Sequence, residues 1–178
     1  EEPIRPENIE AWGQLKAKLT VPLATGESLY SRFEFLRLLQ CAGADIIQPD
    51  VCVVGGLLEM RKIAAIAEAF YVPVAPHNPM GPLATAVNVH FAAACPNFKI
   101  LEYRLPGSAA YLSENQLESE QEMSYVCDPY LPVDGHLELR PDQAGWGVKI
   151  DETYLQTDNY VHWERKLPRR PDGSTAYT

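Results

Sequence analysis

Four ionisable residues stand at near-equal intervals along this chain of 178 residues. Glu27, Asp50, His77 and Glu102 each follow a short apolar run. Carboxylates and imidazoles are the side chains that most often transfer protons in enzymes. The regular spacing of these residues therefore predicts an enzyme with acid-base chemistry.

The apolar runs that precede these residues have the character of β-strands. They cover residues 21–24, 45–48, 71–75 and 99–103, so that their starts are 24, 26 and 28 residues apart. One βα unit has about that length. Segments with helical periodicity lie between the runs, which predicts parallel strands joined by crossover helices. In a (β/α) barrel the residues that follow such strands lie on one face, where active sites form.

The same patterns predict the individual helices. A helix is expected from Ile9 to Leu19, and Ser31 with Glu34 forms a capping box that starts another. Residues 57–70 carry apolar side chains at helical spacing, and Pro82 suits the first position of a helix over residues 83–95. From Asp128 to Ile150 the alternating residues favour short strands or extended chain.

Length and composition limit the possible functions. A complete barrel needs roughly 250 residues, and the chain starts at Glu1 without a leader, so we expect the second part of a longer protein. The formal charge of -9, without basic clusters, argues against nucleic acid as a partner. No apolar run is long enough to span a membrane. Four cysteines without metal-type spacing predict reduced thiols in a cytoplasmic protein.

Several motifs occur in a fixed order, namely Glu1-Glu2-Pro3, Ala24-Thr25-Gly26-Glu27, Gln48-Pro49-Asp50, Gly55-Gly56, the run from Ala75 to Pro82 and, near the end, Gly145 to Asp151. Together they resemble the mandelate racemase and muconate lactonising branch of the enolase superfamily, in particular its sugar-acid dehydratases of the galactonate dehydratase type. The resemblance implies an α/β fold that is the carboxyl-terminal part of a modified (β/α)7β TIM barrel, without the amino-terminal capping domain and first strands. Residues 1–103 would form the second half of the barrel, and residues 104–178 would pack back on the barrel and the capping domain.

The resemblance also implies the site. Glu1 and Glu27 match two of three carboxylates that hold Mg²⁺ in the family, and the third would lie upstream of residue 1. Asp50 and His77 match a proton-transfer dyad in which the carboxylate fixes the imidazole. Glu102 matches the glutamate beside the substrate carboxylate, where it helps to stabilise an enediolate.

The implied reaction is the dehydration of a sugar acid. A base removes the proton next to the carboxylate, and an acid protonates the departing 3-hydroxyl, which gives a 2-keto-3-deoxy acid. We expect His77 to be that acid, although substrate stereochemistry could reverse the assignment. The partners implied are the sugar acid, the amino-terminal part of the same protein and further copies in a homo-oligomer.

Two other functions remain open. The same groups would serve a racemase or cycloisomerase, in which the enediolate is reprotonated or captured. The chain could also be a non-catalytic fragment that needs a partner chain to complete the barrel. His90, His136 and His162 are expected to be packing or surface residues, and Arg32 and Asn78 flank the predicted site without an assigned function.

Overall fold

Helices and short strands alternate along the chain as the sequence predicts. The computed structural model describes residues 1–104, 125–156 and 169–174. Its elements are α1 (Ile9–Lys16), β1 (Ala24–Thr25), α2 (Arg32–Gln40), β2 (Ile46–Ile47), α3 (Leu57–Ala69), α4 (Pro82–Ala93) and α5 (Glu152–Gln156). The predictions for residues 105–124 and for Tyr160 to Trp163 lie outside the described residues.

The strands are parallel and follow one another in sequence order. In β1 and β2, Ala24 lies opposite Ile46 and Thr25 opposite Ile47. Parallel bridges then join Ile47 to Val74 and Val74 to Phe98. Four successive runs therefore form one parallel array whose carboxyl ends share an edge, as the βα rhythm predicts.

All four predicted strands are shorter than expected, and the first is also displaced: β1 covers residues 24–25 instead of 21–24, and β2 covers residues 46–47 instead of 45–48. The last two runs form only isolated bridges. Tyr71 has a positive φ of 57° and is 96% exposed, because it belongs to the turn that ends α3. The regular pairing of that run is confined to the vicinity of Val74. In the run over residues 99–103, the Lys99 N–H still donates to the Val74 carbonyl, but no regular strand continues through Tyr103. The apolar runs thus predict where the strands lie, but they do not predict how many residues of each strand are hydrogen-bonded to a neighbour.

The helices confirm the capping and periodicity arguments. The Glu34 carboxylate accepts hydrogen bonds from the N–H and the hydroxyl of Ser31, which closes the capping box before α2. Helix α1 ends at Lys16, three residues earlier than predicted. Helix α3 buries the side chains of Met60, Ile63, Ala64 and Ala67, the face that the spacing predicted.

One main core lies between the helices and the strand array. Trp12 from α1, Phe35 from α2, Met60 from α3, and Ile47 and Val74 from the strands are each at most 1% exposed. Burying side chains of this size contributes about 1.5–3 kcal/mol each. The core thus fixes the relative positions of the strand ends that carry the polar residues.

The segment predicted to be short strands or extended chain, residues 128–150, forms no further helix and consists of extended stretches interrupted by turns, including those at residues 134–135 and 141–142. Antiparallel bridges join Val126 to Ile150 and Val133 to His136. The Arg140 guanidinium donates to backbone carbonyls of this segment, including that of Gly147, and stacks on the Tyr130 ring. The short helix α5 that follows was not predicted. Within the described residues, no helix is both long and apolar enough to cross a membrane, and all four cysteines are free.

Candidate active site

The four ionisable residues meet at the carboxyl edge of the parallel array; we call them the strand-end site. Glu27 follows β1, Asp50 follows β2, His77 follows the Val74 run and Glu102 follows the last run. A parallel bridge pairs Asp50 with His77 directly. The backbone register therefore brings together side chains that are 27 residues apart in the sequence.

Asp50 and His77 form a close pair. The Asp50 Oδ2 atom lies 2.8 Å from His77 Nδ1, and the Asp50 side chain is only 1% exposed. The other carboxylate oxygen, Oδ1, accepts the backbone N–H of Cys52 at 2.7 Å. Both oxygens of Asp50 are therefore engaged, so that the imidazole ring is held with Nδ1 toward the carboxylate and Nε2 on the opposite side.

The surroundings of His77 favour its protonated form. Burial of the ring disfavours the charge, but the hydrogen bond to Asp50 and the nearby carboxylates of Glu27 and Glu102 outweigh it, so the pKa of His77 is raised. The Nε2 atom lies 3.4 Å from Glu27 Oε2. This nitrogen is the one that could exchange a proton with a bound molecule.

Glu27 lies in a crowded group of carboxylates. Burial raises the pKa of Glu27; the nearby His77 opposes this, and repulsion from Glu2, Glu1 and Glu102 adds to it. The preceding residue, Gly26, has a φ of 135°, and a Cβ there would lie 2.7 Å from the ring of Phe35. Only glycine fits this turn, which places Glu27 at the strand end.

The two glutamates at the start of the chain differ in their contacts. The Glu2 carboxylate accepts the Thr25 hydroxyl at 2.5 Å and the Gly26 N–H at 2.8 Å. Glu2 thus holds the turn before Glu27, whereas the Glu1 side chain is exposed. The sequence did not reveal this function of Glu2, because two adjacent acidic residues have no distinguishing pattern until the turn is placed.

The donor chemistry of Glu1 and Glu27 fits a hard divalent cation. Carboxylate oxygens are preferred ligands of Mg²⁺. Burial raises the pKa of Glu27 and repulsion from the neighbouring carboxylates adds to it, and a bound cation would offset both effects. Among the described residues no cluster of three or more His, Cys, Asp or Glu side chains is arranged to hold a metal ion. The assignment of Glu1 and Glu27 as metal ligands stays a prediction.

Glu102 is held by the residue that follows His77. The Asn78 N–H donates to Glu102 Oε2 at 2.8 Å, and the Asn78 side chain donates to the Glu102 carbonyl at 3.0 Å. Asn78 is only 2% exposed, so its side chain is directed into the protein. The sequence alone assigns no function to Asn78, since nothing in the motif shows which way the amide points.

The other flanking residues have structural partners. The Arg32 guanidinium pairs with Glu59 of α3 at 2.6 Å, which ties the start of α2 to the neighbouring helix. His90 packs edge-on against Trp146, with ring centroids 5.5 Å apart. His136 is exposed and contacts the Asp134 carbonyl through Nδ1. His90 and His136 are therefore packing and surface residues as predicted, and His162 lies outside the described residues.

A parallel βα array with acidic and imidazole side chains at its carboxyl edge is the architecture of part of a (β/α) barrel. Residues 1–154 match the model of the enolase C-terminal domain-like family. The chain belongs to this family, and its α/β fold is the carboxyl-terminal part of the enolase-type barrel.

Similar proteins of this family include enzymes with named activities. The chain is 37% identical to a D-galactonate dehydratase of Xanthomonas oryzae and 34% identical to one of Ralstonia nicotianae, in each case over 99% of this chain and 45% of the relative. The chain therefore spans about half the length of the curated relatives it matches.

Solved structures agree with this placement. An enolase from Agrobacterium radiobacter, described as a candidate galactarate dehydratase and solved with sodium and L-malate, is 62% identical with a TM-score of 0.89, over 99% of this chain and 45% of that one. The 3,6-anhydro-D-galactonate cycloisomerase of Zobellia galactanivorans is 31% identical with a TM-score of 0.71, over 87% of this chain and 40% of that one.

Proposed function

We propose that the full-length protein is a Mg²⁺-dependent hydro-lyase that dehydrates a sugar acid to a 2-keto-3-deoxy acid. The observation that carries the proposal is the Asp50–His77 pair, with Nδ1 fixed at 2.8 Å and Nε2 directed toward Glu27 at the strand ends. The similarity to D-galactonate dehydratases over nearly the whole chain supports the same reaction class.

His77 is proposed as the acid that protonates the departing 3-hydroxyl. A raised pKa keeps a larger fraction of the imidazole protonated near neutral pH, which suits a proton donor. Asp50 stabilises the charged ring and holds its orientation. The base that removes the proton next to the carboxylate is expected on the opposite face of the substrate, outside the strand-end site.

Glu102 and the metal ligands are proposed to act on the substrate carboxylate. The exposed Glu102 side chain is directed by the Asn78 N–H, so that one oxygen is held and the other is available to a substrate oxygen. Glu1 and Glu27 would hold Mg²⁺, which when bound would stabilise the negative charge that develops on the carboxylate.

A panel of sugar acids tests the reaction. The full-length protein would be incubated with Mg²⁺ and individual aldonic acids, with formation of 2-keto acid followed as the semicarbazone. Aldaric acids belong in the panel because the Agrobacterium structure contains L-malate, a dicarboxylate. Formation of a 2-keto-3-deoxy acid from at least one aldonate is the expected result; turnover of aldarates alone would change the substrate class, and no turnover at all would refute the proposal.

A racemase or cycloisomerase is the second candidate, favoured by the similarity to the Zobellia cycloisomerase. Incubation in D₂O separates the candidates. Incorporation of deuterium next to the carboxylate with an epimer as the product and no keto acid would identify racemisation. A product of unchanged mass in H₂O whose NMR spectrum shows a ring formed or opened would identify cycloisomerisation.

Titration with Mg²⁺ tests the metal ligands. We expect Glu27→Gln to weaken Mg²⁺ binding by at least about 10- to 100-fold, the loss typical of disturbing even an outer shell. Glu2→Gln is the matched control, because the amide oxygen can keep both hydrogen bonds now made by Glu2 Oε1. Equal Mg²⁺ affinity in the wild type and Glu27→Gln, measured by calorimetry, would remove Glu27 from the metal site.

The remaining predictions concern the state of the protein. We propose a cytoplasmic homo-oligomer. Light scattering after size-exclusion chromatography would test the oligomeric state, and cell fractionation would test the localisation.

The division into two parts at residue 103 is also a proposal, and limited proteolysis would test it. Intact mass of the purified protein would test the alternative in which this chain is a fragment with a separate partner.

A further inference from the structure

We propose that Asn88, whose side chain donates a hydrogen bond to Asn78, is a positioning residue that sets Glu102 relative to His77 through Asn78. This inference rests on the proposed function for its kinetic test. The relevant side chains are those of Asn78, Thr85 and Asn88, which we call the Asn78 network. They join the loop after His77 to the end of the Glu102 run and to helix α4.

The network is buried and entirely uncharged. Asn78 is 2% exposed and Asn88 is not exposed at all. Burying an amide is unfavourable unless it is hydrogen-bonded, and a helix face in a core can be filled with apolar side chains at lower cost. Two adjacent buried amides therefore indicate a requirement for directed hydrogen bonds at this place.

Two backbone carbonyls, those of Glu102 and Gly81, determine which group donates in each hydrogen bond of the network. The backbone carbonyl of Glu102 can only accept, so the Asn78 Nδ2 group must donate to it at 3.0 Å. The Thr85 hydroxyl gives its proton to the Gly81 carbonyl at 3.1 Å and accepts the second N–H of Asn78 at 3.0 Å. The Oδ1 atom of Asn78 therefore faces Asn88, which must be the donor.

This arrangement fixes two groups of the strand-end site at once. With its amide held on three sides, Asn78 has a single orientation, and its backbone N–H lies 2.8 Å from Glu102 Oε2. His77 is the preceding residue, so the same backbone segment carries the imidazole. A shift of Asn78 would displace the Glu102 carboxylate and His77 relative to each other.

Substitutions that remove the hydrogen bonds but keep the volume test the inference. Asn88→Leu removes the donor to Asn78, and Thr85→Val removes the hydroxyl, whereas Thr85→Ser keeps it. Asn97→Ala is the control outside the site, because Asn97 donates to the Ala64 and Val72 carbonyls at the opposite edge of the array. The Thr85 pair keeps the test decisive if Asn88→Leu does not fold.

Steady-state kinetics of the full-length protein gives the main result. A displacement near 1 Å can lower a rate about 100-fold, so we expect Asn88→Leu and Thr85→Val to lower kcat by about 10- to 100-fold. KM should change by less than about threefold, since the displaced groups act mainly in the transition state. Thr85→Ser should retain most of kcat, and Asn97→Ala should lower the melting temperature without lowering kcat.

Two results would overturn the inference. One is a kcat within about twofold of wild type in both Asn88→Leu and Thr85→Val, with melting temperatures lowered as in Asn97→Ala; the network would then stabilise the fold only. The other is structural and applies even if the wild type converts no sugar acid, a result that refutes only the proposed function. If crystal structures of the wild type and a network variant show an unchanged hydrogen bond between the Asn78 N–H and Glu102, the network does not position Glu102.

Discussion

The two edges of the parallel array use polar side chains in different ways. At the amino edge, Asp45 accepts the Leu23 N–H at 2.9 Å and pairs with Lys16 at 2.9 Å. Asn97 donates to two backbone carbonyls at the same edge. These groups hold neighbouring segments together. Each hydrogen-bond donor has an acceptor, and the negative charge of Asp45 has a positive partner in Lys16.

At the carboxyl edge the charges are less well compensated. Glu27 is next to other carboxylates, and its pKa is raised by burial, with repulsion from Glu2, Glu1 and Glu102 adding to the effect. His77 has one nitrogen fixed by Asp50 and the other 3.4 Å from Glu27. Shifted pKa values with specific charged neighbours are typical of functional sites. Polar side chains at the amino edge therefore stabilise the fold, whereas those at the carboxyl edge include neighbouring carboxylates that repel one another.

The largest expected effect comes from removing the imidazole at the carboxyl edge. His77→Asn deletes the proposed acid, and general acid-base groups contribute about 10²–10⁴-fold, so we expect a loss of dehydration near the upper end. Melting temperature and circular dichroism should be unchanged. A wild-type rate of keto-acid formation in this variant would show that His77 has no chemical function.

A smaller loss is expected from Asp50→Asn. The amide can still accept the Cys52 N–H, but it no longer supplies the charge that stabilises a protonated His77. We expect kcat to fall about 10²-fold, the lower end of the range for acid-base groups. The pKa of His77, followed by NMR, should fall in the same variant; an unchanged pKa would contradict the assignment of Asp50.

The turn that places Glu27 at the carboxyl edge is tested by Gly26→Ala. Its φ of 135° excludes a Cβ, which would also lie 3.1 Å from the Gln48 nitrogen. Strain of this kind costs about 1–3 kcal/mol in the free energy of unfolding, measured by urea denaturation. Gly55→Ala is the control, because its φ is also positive but nothing lies within 4 Å of the added carbon. Equal losses would show that the contact with Phe35 and Gln48 is unimportant.

The smallest effect is expected at the amino edge, from Asp45→Asn. Burial opposes the charge of Asp45, but the Leu23 N–H and Lys16 outweigh it, so the pKa of Asp45 is lowered. A lowered pKa means stability that is present above the ordinary value of about 3.9 and is lost as pH falls through the folded value. The side chain is partly exposed, so the loss at pH 7 should be below about 1 kcal/mol.

Melting temperatures over a range of pH check this prediction. The difference between wild type and Asp45→Asn should shrink as the pH falls below the ordinary pKa of an aspartate. A difference that is constant with pH would show that the charge of Asp45 contributes nothing at this edge.

The sequence was sufficient for the parts that depend on repetition. The spacing of Glu27, Asp50, His77 and Glu102 predicted one shared edge because parallel strands joined by helices must align their carboxyl ends. The separation of about one βα unit also brought Asp50 next to His77. Periodicity and strand order carry this information without reference to distant contacts.

Other features depend on contacts that periodicity does not encode. The apolar run over residues 71–75 predicts that Tyr71 begins a strand, yet it occupies the turn after α3. The sequence alone assigns no function to Asn78 or Glu2, although Asn78 holds Glu102 and Glu2 holds the turn before Glu27. The direction of a polar side chain follows from the neighbours that surround it. For Glu2 and for the contact between Asn78 and Glu102 these neighbours are 24 residues away in the sequence.

The contact between Glu2 and the turn at Gly26 has a consequence for cation binding. Glu2 is covalently joined to Glu1, and its carboxylate is hydrogen-bonded to the residue before Glu27. The two proposed ligands are therefore attached to one local frame before any ion arrives. If Glu1 and Glu27 bind the ion as proposed, much of the entropy cost of bringing two ligands together is met during folding, and the proposed site would act as a chelator assembled in advance.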